Sequence, residues 1–232
     1  MAFWAHSDPA GLPPGAPDSQ WQPLAQHLQN TAGLARRLAE YAAPEYSHFH
    51  DLAERCGLLH DYGKYADSFQ RMILTGKGRC PHAIYGAAMA QRLGATHICS
   101  AIAGHHAGMP DLGQLRDKVK QIRVEADELL DHAGRDLLEL GALFRDRAPS
   151  LENPGDRFDL LTRMLLSCLV DADRLDTARR PVLQAPLDAA NRLELLLAHV
   201  NELARQSLLD DGRVGDDHND PTVFLGLLGG SL

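Results

Sequence analysis

The residues best suited to chemistry in this sequence are histidines and aspartates set near helix ends. The segment Leu58-Leu59-His60-Asp61-Tyr62-Gly63-Lys64 puts an imidazole beside a carboxylate where an apolar run meets a glycine. Neutral imidazole is a borderline ligand and carboxylate a hard one, so the pair suits a divalent transition metal. With two oxygens, Asp61 could also bridge two ions. Lys64 follows His60 by about one helical turn and could hold a phosphate as a point charge. The stretch Ala103-Gly104-His105-His106-Ala107-Gly108 brings two consecutive imidazoles to a helix end between glycines. Helical neighbours point about 100° apart, so this pair serves one metal only if the helix unwinds locally, or it flanks two metals. His82 stands alone at a helix start, in Pro81-His82-Ala83. In Ser167-Cys168-Leu169-Val170-Asp171-Ala172-Asp173, two carboxylates interrupt an otherwise apolar helix. A buried ionised carboxylate is costly without a partner or a metal. The two point different ways, so at most one of them faces the core. His27 lies near the inward side of a helix carrying Leu24, Leu28 and Leu34. Taken singly, His27 and His82 read as structural histidines.

The elements that must position these groups are all helical. Leu24, Leu28, Thr31, Leu34, Leu38 and Tyr41 recur on one side of a helix over 20–42, which Pro44 ends. A second helix is expected over 45–62, with Gly63 as its C-terminal stop. Shorter helices follow over 66–74, 84–93 and 96–107, with a loop at 76–81. Residues 114–147 read as one or two amphipathic helices, broken at Gly134. Asn153-Pro154-Gly155-Asp156 is a turn, followed by an apolar, central helix over 158–177 and another over 185–209. No alternating strand pattern and no internal repeat stands out. The expected fold class is all-α, a single helical bundle with a metal site between its central helices. Residues 1–19, rich in Pro, Gly, Ala and Asp, read as an irregular N-terminal arm that Phe3, Trp4 and His6 could pin to the body. The domain is expected over 20–209, with an acidic, Gly-rich tail over 210–232.

Taken together, the order His27, His60-Asp61, Asp173 resembles the HD-domain metal-dependent phosphohydrolases, an all-α superfamily. The additional His82 and the His105-His106 pair resemble a narrower branch, the HD nuclease of type I CRISPR systems. Supporting segments are Ala5-His6-Ser7, Trp21 to Leu28, Gly57 to Tyr65 with Phe69-Gln70, and Ser167 to Asp173. The resemblance covers roughly residues 5–180. It implies that His27, His60, Asp61 and Asp173 hold one ion. His82, His105 and His106 would hold a second, with Asp61 bridging. Asp173 is preferred to Asp171 because it occupies the family's Ala-Asp position. His60 and Asp61 would be catalytic, and Lys64 would contact the scissile phosphate. The implied reaction is hydrolysis of single-stranded DNA by a water that two divalent ions activate. Five histidines and two aspartates are softer than the oxygen cage magnesium prefers. Manganese, iron, cobalt or nickel is therefore expected, with magnesium also admitted. The resemblance further implies a CRISPR helicase subunit and a guide-RNA surveillance complex as partners.

Composition narrows the classes. The chain has 232 residues, with 31 acidic and 23 basic side chains for a net charge of −8. That balance argues against a protein coating DNA through Lys and Arg, because non-specific binding needs those charges. Arg116, Lys120 and Arg123 recur at helical spacing and form one candidate DNA-binding stripe. Twelve histidines in an acidic chain instead raise the metal question. No apolar run approaches the ~18 residues of a membrane span, no signal peptide is evident, and no phosphate-binding loop occurs. Cys56, Cys80, Cys99 and Cys168 are expected to be free thiols in the cytoplasm. Two rival readings are an HD phosphohydrolase acting on nucleotides or cyclic dinucleotides, and a non-catalytic HD scaffold.

Overall fold

The computed structural model describes residues 2–137 and 157–178. Along the chain run β1 (Trp4–His6), β2 (Gln22–Pro23), α1 (Leu24–Ala42), α2 (Ser47–Leu59), a 3-10 turn (Tyr62–Tyr65), α3 (Asp67–Thr75), α4 (Ala83–Arg92), α5 (Thr96–Gly104), α6 (Leu112–Glu128), α7 (Leu130–Asp136) and α8 (Arg157–Thr177). The all-α expectation holds for the body of the protein. The expected turn at 153–156, the helix over 185–209 and the tail over 210–232 lie outside the described residues.

The helices form where the apolar period demands. On α1, Leu24, Leu28, Thr31, Leu34 and Ala35 are buried, and this face packs against α2 and α8. On α8 the buried positions Thr162, Leu165, Leu169, Ala172 and Asp176 recur every three or four residues. One stripe of α8 therefore packs against α1, α2 and α5. Burying such a stripe is the main source of helix stability in a globular chain. Helix α4 bridges the groups, lying against α5 on one side and α6 on another.

Three expectations are corrected. The N-terminal segment is irregular from residue 7 to 21 and is pinned to the body as expected, but residues 4–6 form a strand that was not expected. Trp4 and His6 pair antiparallel with Pro23 and Gln22, and Phe3 and Ala5 join the core. Strands this short carry no alternation to read. The break after α6 falls at Leu129, and Gly134 lies inside α7. Gly63 is not a left-handed stop. It sits within the 3-10 turn because a Cβ there would lie 2.4 Å from the carbonyl oxygen of His82.

Candidate metal centre

His27 shares the buried face of α1 with Leu24, Leu28 and Thr31 and is fully buried. Its partner set comes from the end of α2. His60 caps that helix in helical geometry, and its backbone N–H still reaches the carbonyl of Cys56. At Asp61 (φ −106°, ψ 17°) the chain leaves the helix for the 3-10 turn. This bridge conformation is uncommon and is frequent at active sites. His82 is the residue preceding α4. The bare backbone of Gly63 lets the 3-10 turn approach His82 closely. His105 and His106 sit in the turn where α5 has ended, so the local unwinding that consecutive ligands require is present. Helix α8 contributes Asp173 from the edge of its buried stripe, whereas Asp171 is exposed.

Six of these side chains converge around the carboxylate of the seventh, Asp61. Asp61 Oδ2 lies 3.2 Å from His27 Nε2 and 3.3 Å from His60 Nε2. Asp173 Oδ1 lies 3.4 Å from His27 Nε2 and 3.8 Å from His60 Nε2. On the other side, Asp61 Oδ1 lies 3.1 Å from His82 Nε2 and 3.7 Å from His105 Nε2. His106 Nε2 lies 2.8 Å from His82 Nε2. Asp61, His82, His105 and His106 each offer a donor atom within 4.8 Å of the others, and so do His27, His60 and Asp61.

The outer nitrogens fix which atom faces inward. His27 Nδ1 lies 2.7 Å from Asp176 Oδ2, His60 Nδ1 2.8 Å from the carbonyl of Gly57, and His105 Nδ1 2.6 Å from that of Ile102. An Nδ1–H donating to these acceptors turns Nε2 towards the cluster, where it serves as a ligand atom once it carries no proton, the usual arrangement of a metal-binding histidine. Asp61 Oδ1 and His105 Nε2 are buried with no hydrogen-bond partner. Orphaned buried acceptors carry a desolvation cost that a cation would remove. The donor set thus fits divalent transition metals by ligand type, by orientation and by its unsatisfied atoms.

Electrostatics balance the cluster. Burial opposes ionisation of Asp61, but Lys64 and then His60 outweigh it and hold its carboxyl well below the usual range. Burial likewise opposes charge on His60, but Asp61 and Asp173 outweigh it and raise its imidazolium to about 10. His106 is lowered to about 4 by burial, then by His105 and His82. One buried and one half-buried carboxylate, Asp61 and Asp173, are thus offset by Lys64 and by a proton on His60.

Several placements differ from expectation. Lys64, expected at a phosphate, is buried; its Nζ lies 2.6 Å from Asp61 Oδ2 and donates to the carbonyl of Ala5 at 3.0 Å. Its charge is therefore committed to Asp61 and to β1. Asp176, which sequence reasoning missed, accepts from Gln22 and Asn30 as well as lying against His27. Its signal was its position three residues beyond Asp173, on the same helix face. His6 stands with its ring edge-on to His27 at 4.8 Å. Burial, then Lys64 and His27, lowers it to about 4. Arg116, Lys120 and Arg123 are exposed on α6, but on the flank of its buried ridge (Leu115, Val119, Ala126) opposite the groove beside His82 and His106.

All four cysteines are free, and no helix among the described residues is long and apolar enough to cross a membrane. No curated protein matches the chain. The HD domain family matches residues 24–144, just over half of the chain and all of the donors except Asp173. With that match and a converged His/Asp cluster built on helix ends, the chain belongs to the HD-domain family, whose members are in general metal-dependent hydrolases.

Proposed function

We propose that this protein is a metal-dependent nuclease that hydrolyses phosphodiester bonds of single-stranded DNA in type I CRISPR interference. The observation that carries this reading is the two-sided environment of Asp61, which opens past His82 and His106 into a groove instead of a closed pocket. His27, His60, Asp61 and Asp173 would hold one divalent ion and His82, His105, His106 and Asp61 a second. Those ions would supply charge to the phosphate and an activated water for attack on phosphorus. The protein's own residues supply the geometry. Asp176, Gly57 and Ile102 orient three imidazoles, and Lys64 holds Asp61 in its ionised form. An enclosed pocket would suit a nucleotide or cyclic dinucleotide better, and a non-catalytic scaffold has no need of seven convergent donors. An acidic chain of net charge −8 is a poor non-specific DNA binder. This favours an enzyme handed its strand by a helicase subunit and a guide-RNA surveillance complex, and the reading as a whole implies a cytoplasmic protein.

The test is cleavage of labelled single-stranded DNA with manganese or with EDTA, alongside Asp61→Ala and His106→Ala. Wild type should cleave only with metal, and both variants should be inactive. Cleavage persisting in Asp61→Ala would overturn the bridging role. Turnover of a mononucleotide or cyclic dinucleotide without cleavage of DNA would establish the rival phosphohydrolase reading.

A further inference from the structure

A groove of about 1160 Å³ runs away from His82 and His106, between the loop preceding α4 and the flank of α6. This exceeds the ~300–1,000 Å³ typical of a pocket enclosing one small ligand. Its walls include Phe69, Tyr85 and Met109, while Arg79 and Lys118 enter it from the loop and from α6. Neither cation has an ion pair with a described residue. One carboxylate, Asp111, also lines the groove; it caps α6, its Oδ1 accepting from the backbone N–H of Gln114, and it keeps its charge. Tyr85 is held by its hydroxyl, which donates to Glu125 Oε2 at 3.1 Å. Phe69 is buried with its ring edge-on to His82 at 5.2 Å, so the aromatic wall continues to the donor cluster.

We propose that this groove is the seat of the polynucleotide strand flanking the scissile bond, with Arg79 and Lys118 on its phosphates and Tyr85 as a stacking platform for a base. The inference rests on the phosphodiesterase reading above and assigns its strand-binding residues. Single strands are held by this combination, since every base has a stacking face and every linkage a phosphate charge. In a chain of net charge −8, a groove lined by two cations and one carboxylate beside the donor cluster is a local exception to the overall field. The groove flank of α6 presents Lys118, and the opposite flank presents Arg116, Lys120 and Arg123. The proposal therefore moves DNA contact from the three-residue stripe to the other side of the same helix.

The experiment measures fluorescence anisotropy of a labelled oligothymidylate of about 12 nucleotides, a length spanning a typical single-strand site. It is done in EDTA at low salt, so that no cleavage intervenes. Arg79→Ala/Lys118→Ala should weaken binding by about tenfold or more. It should also flatten the log–log salt dependence by about 1.4, from two phosphates at ~0.7 each. Tyr85→Leu should weaken binding about fivefold or more, and Tyr85→Phe should restore it because the ring remains. Arg116→Ala/Lys120→Ala/Arg123→Ala should bind as wild type does. The cations are exposed, and unchanged thermal melts would show that the variants are folded. Groove variants that bind like wild type would overturn the proposal, as would an equal loss in the three-residue stripe variant. Failure of the wild type to bind the oligothymidylate overturns it too. Manganese-dependent hydrolysis of bis(p-nitrophenyl) phosphate by the wild type reports the metal centre separately. Its absence would defeat the phosphodiesterase reading, whatever the groove binds.

Discussion

Three imidazoles reach Asp61 with their Nδ1 atoms already committed, to Asp176, Gly57 and Ile102. Each therefore offers Nε2 without reorienting when a cation arrives. Of the three acceptors, only Asp176 is a side chain and can be removed by substitution, which also takes an acceptor from Gln22 and Asn30. Asp176→Ala should weaken manganese affinity by about 10- to 100-fold, the usual cost of removing such a partner, as measured by calorimetric titration. Affinity equal to wild type would mean that packing alone orients His27. The proton on His60 leads to a second expectation. Its imidazolium is raised to about 10, so it is protonated at neutral pH in the metal-free protein. A cation at Nε2 must displace that proton, so metal binding releases protons and weakens as pH falls. The loss should approach about tenfold in affinity per pH unit for each proton displaced. Titrations in buffers of different ionisation enthalpy would count the protons; a count of zero at pH 7 would contradict a charged His60.

At the scale of elements, the site depends on the short N-terminal strand. Gln70 on α3 accepts from Trp4 N–H and donates to the carbonyls of Trp4 and Lys64. The carbonyl of Ala5 on the same strand accepts from Lys64, which faces Asp61. Strand, lysine and the Asp61 carboxylate thus form one connected path. Gln70→Leu would leave these backbone groups buried and unpaired, at ~1–3 kcal/mol for each group fully orphaned. Urea denaturation should show a loss of about 2–4 kcal/mol, and a change below ~0.5 kcal/mol would mean that water replaces the amide. The helix pair α1–α2 has a comparable dependence. A Cβ at Gly57 would lie 2.4 Å from Ala32 Cα, so only glycine lets the helices carrying His27 and His60 come this close. The sequence shows Gly57 within the helix but holds no sign of the backbone opposite it.

At the scale of the whole molecule, an acidic protein holds a compensated His/Asp cluster beside a groove that Arg79 and Lys118 border. Much of this is legible in the sequence. The types and order of His27, His60, Asp61, His82, His105, His106 and Asp173 are visible there, as is the helical frame, because apolar residues repeat locally every three or four positions. The preference for Asp173 over Asp171 is also legible, and the structure places Asp171 at the surface and Asp173 at the cluster. What local periodicity does not encode is contact between distant segments. Asp176 meets His27 across 149 residues, and Lys64 meets Ala5 across 59. Strands of three and two residues have no period to detect. The sequence by itself determined which histidines and aspartates were candidates for the cluster and most of the helices that flank them. Only the tertiary structure decided which nitrogen of each imidazole faces inward, that Lys64 serves Asp61, and which flank of α6 borders the groove. Those choices depend on which backbone and side-chain acceptors packing brings together, and no spacing along one chain specifies them.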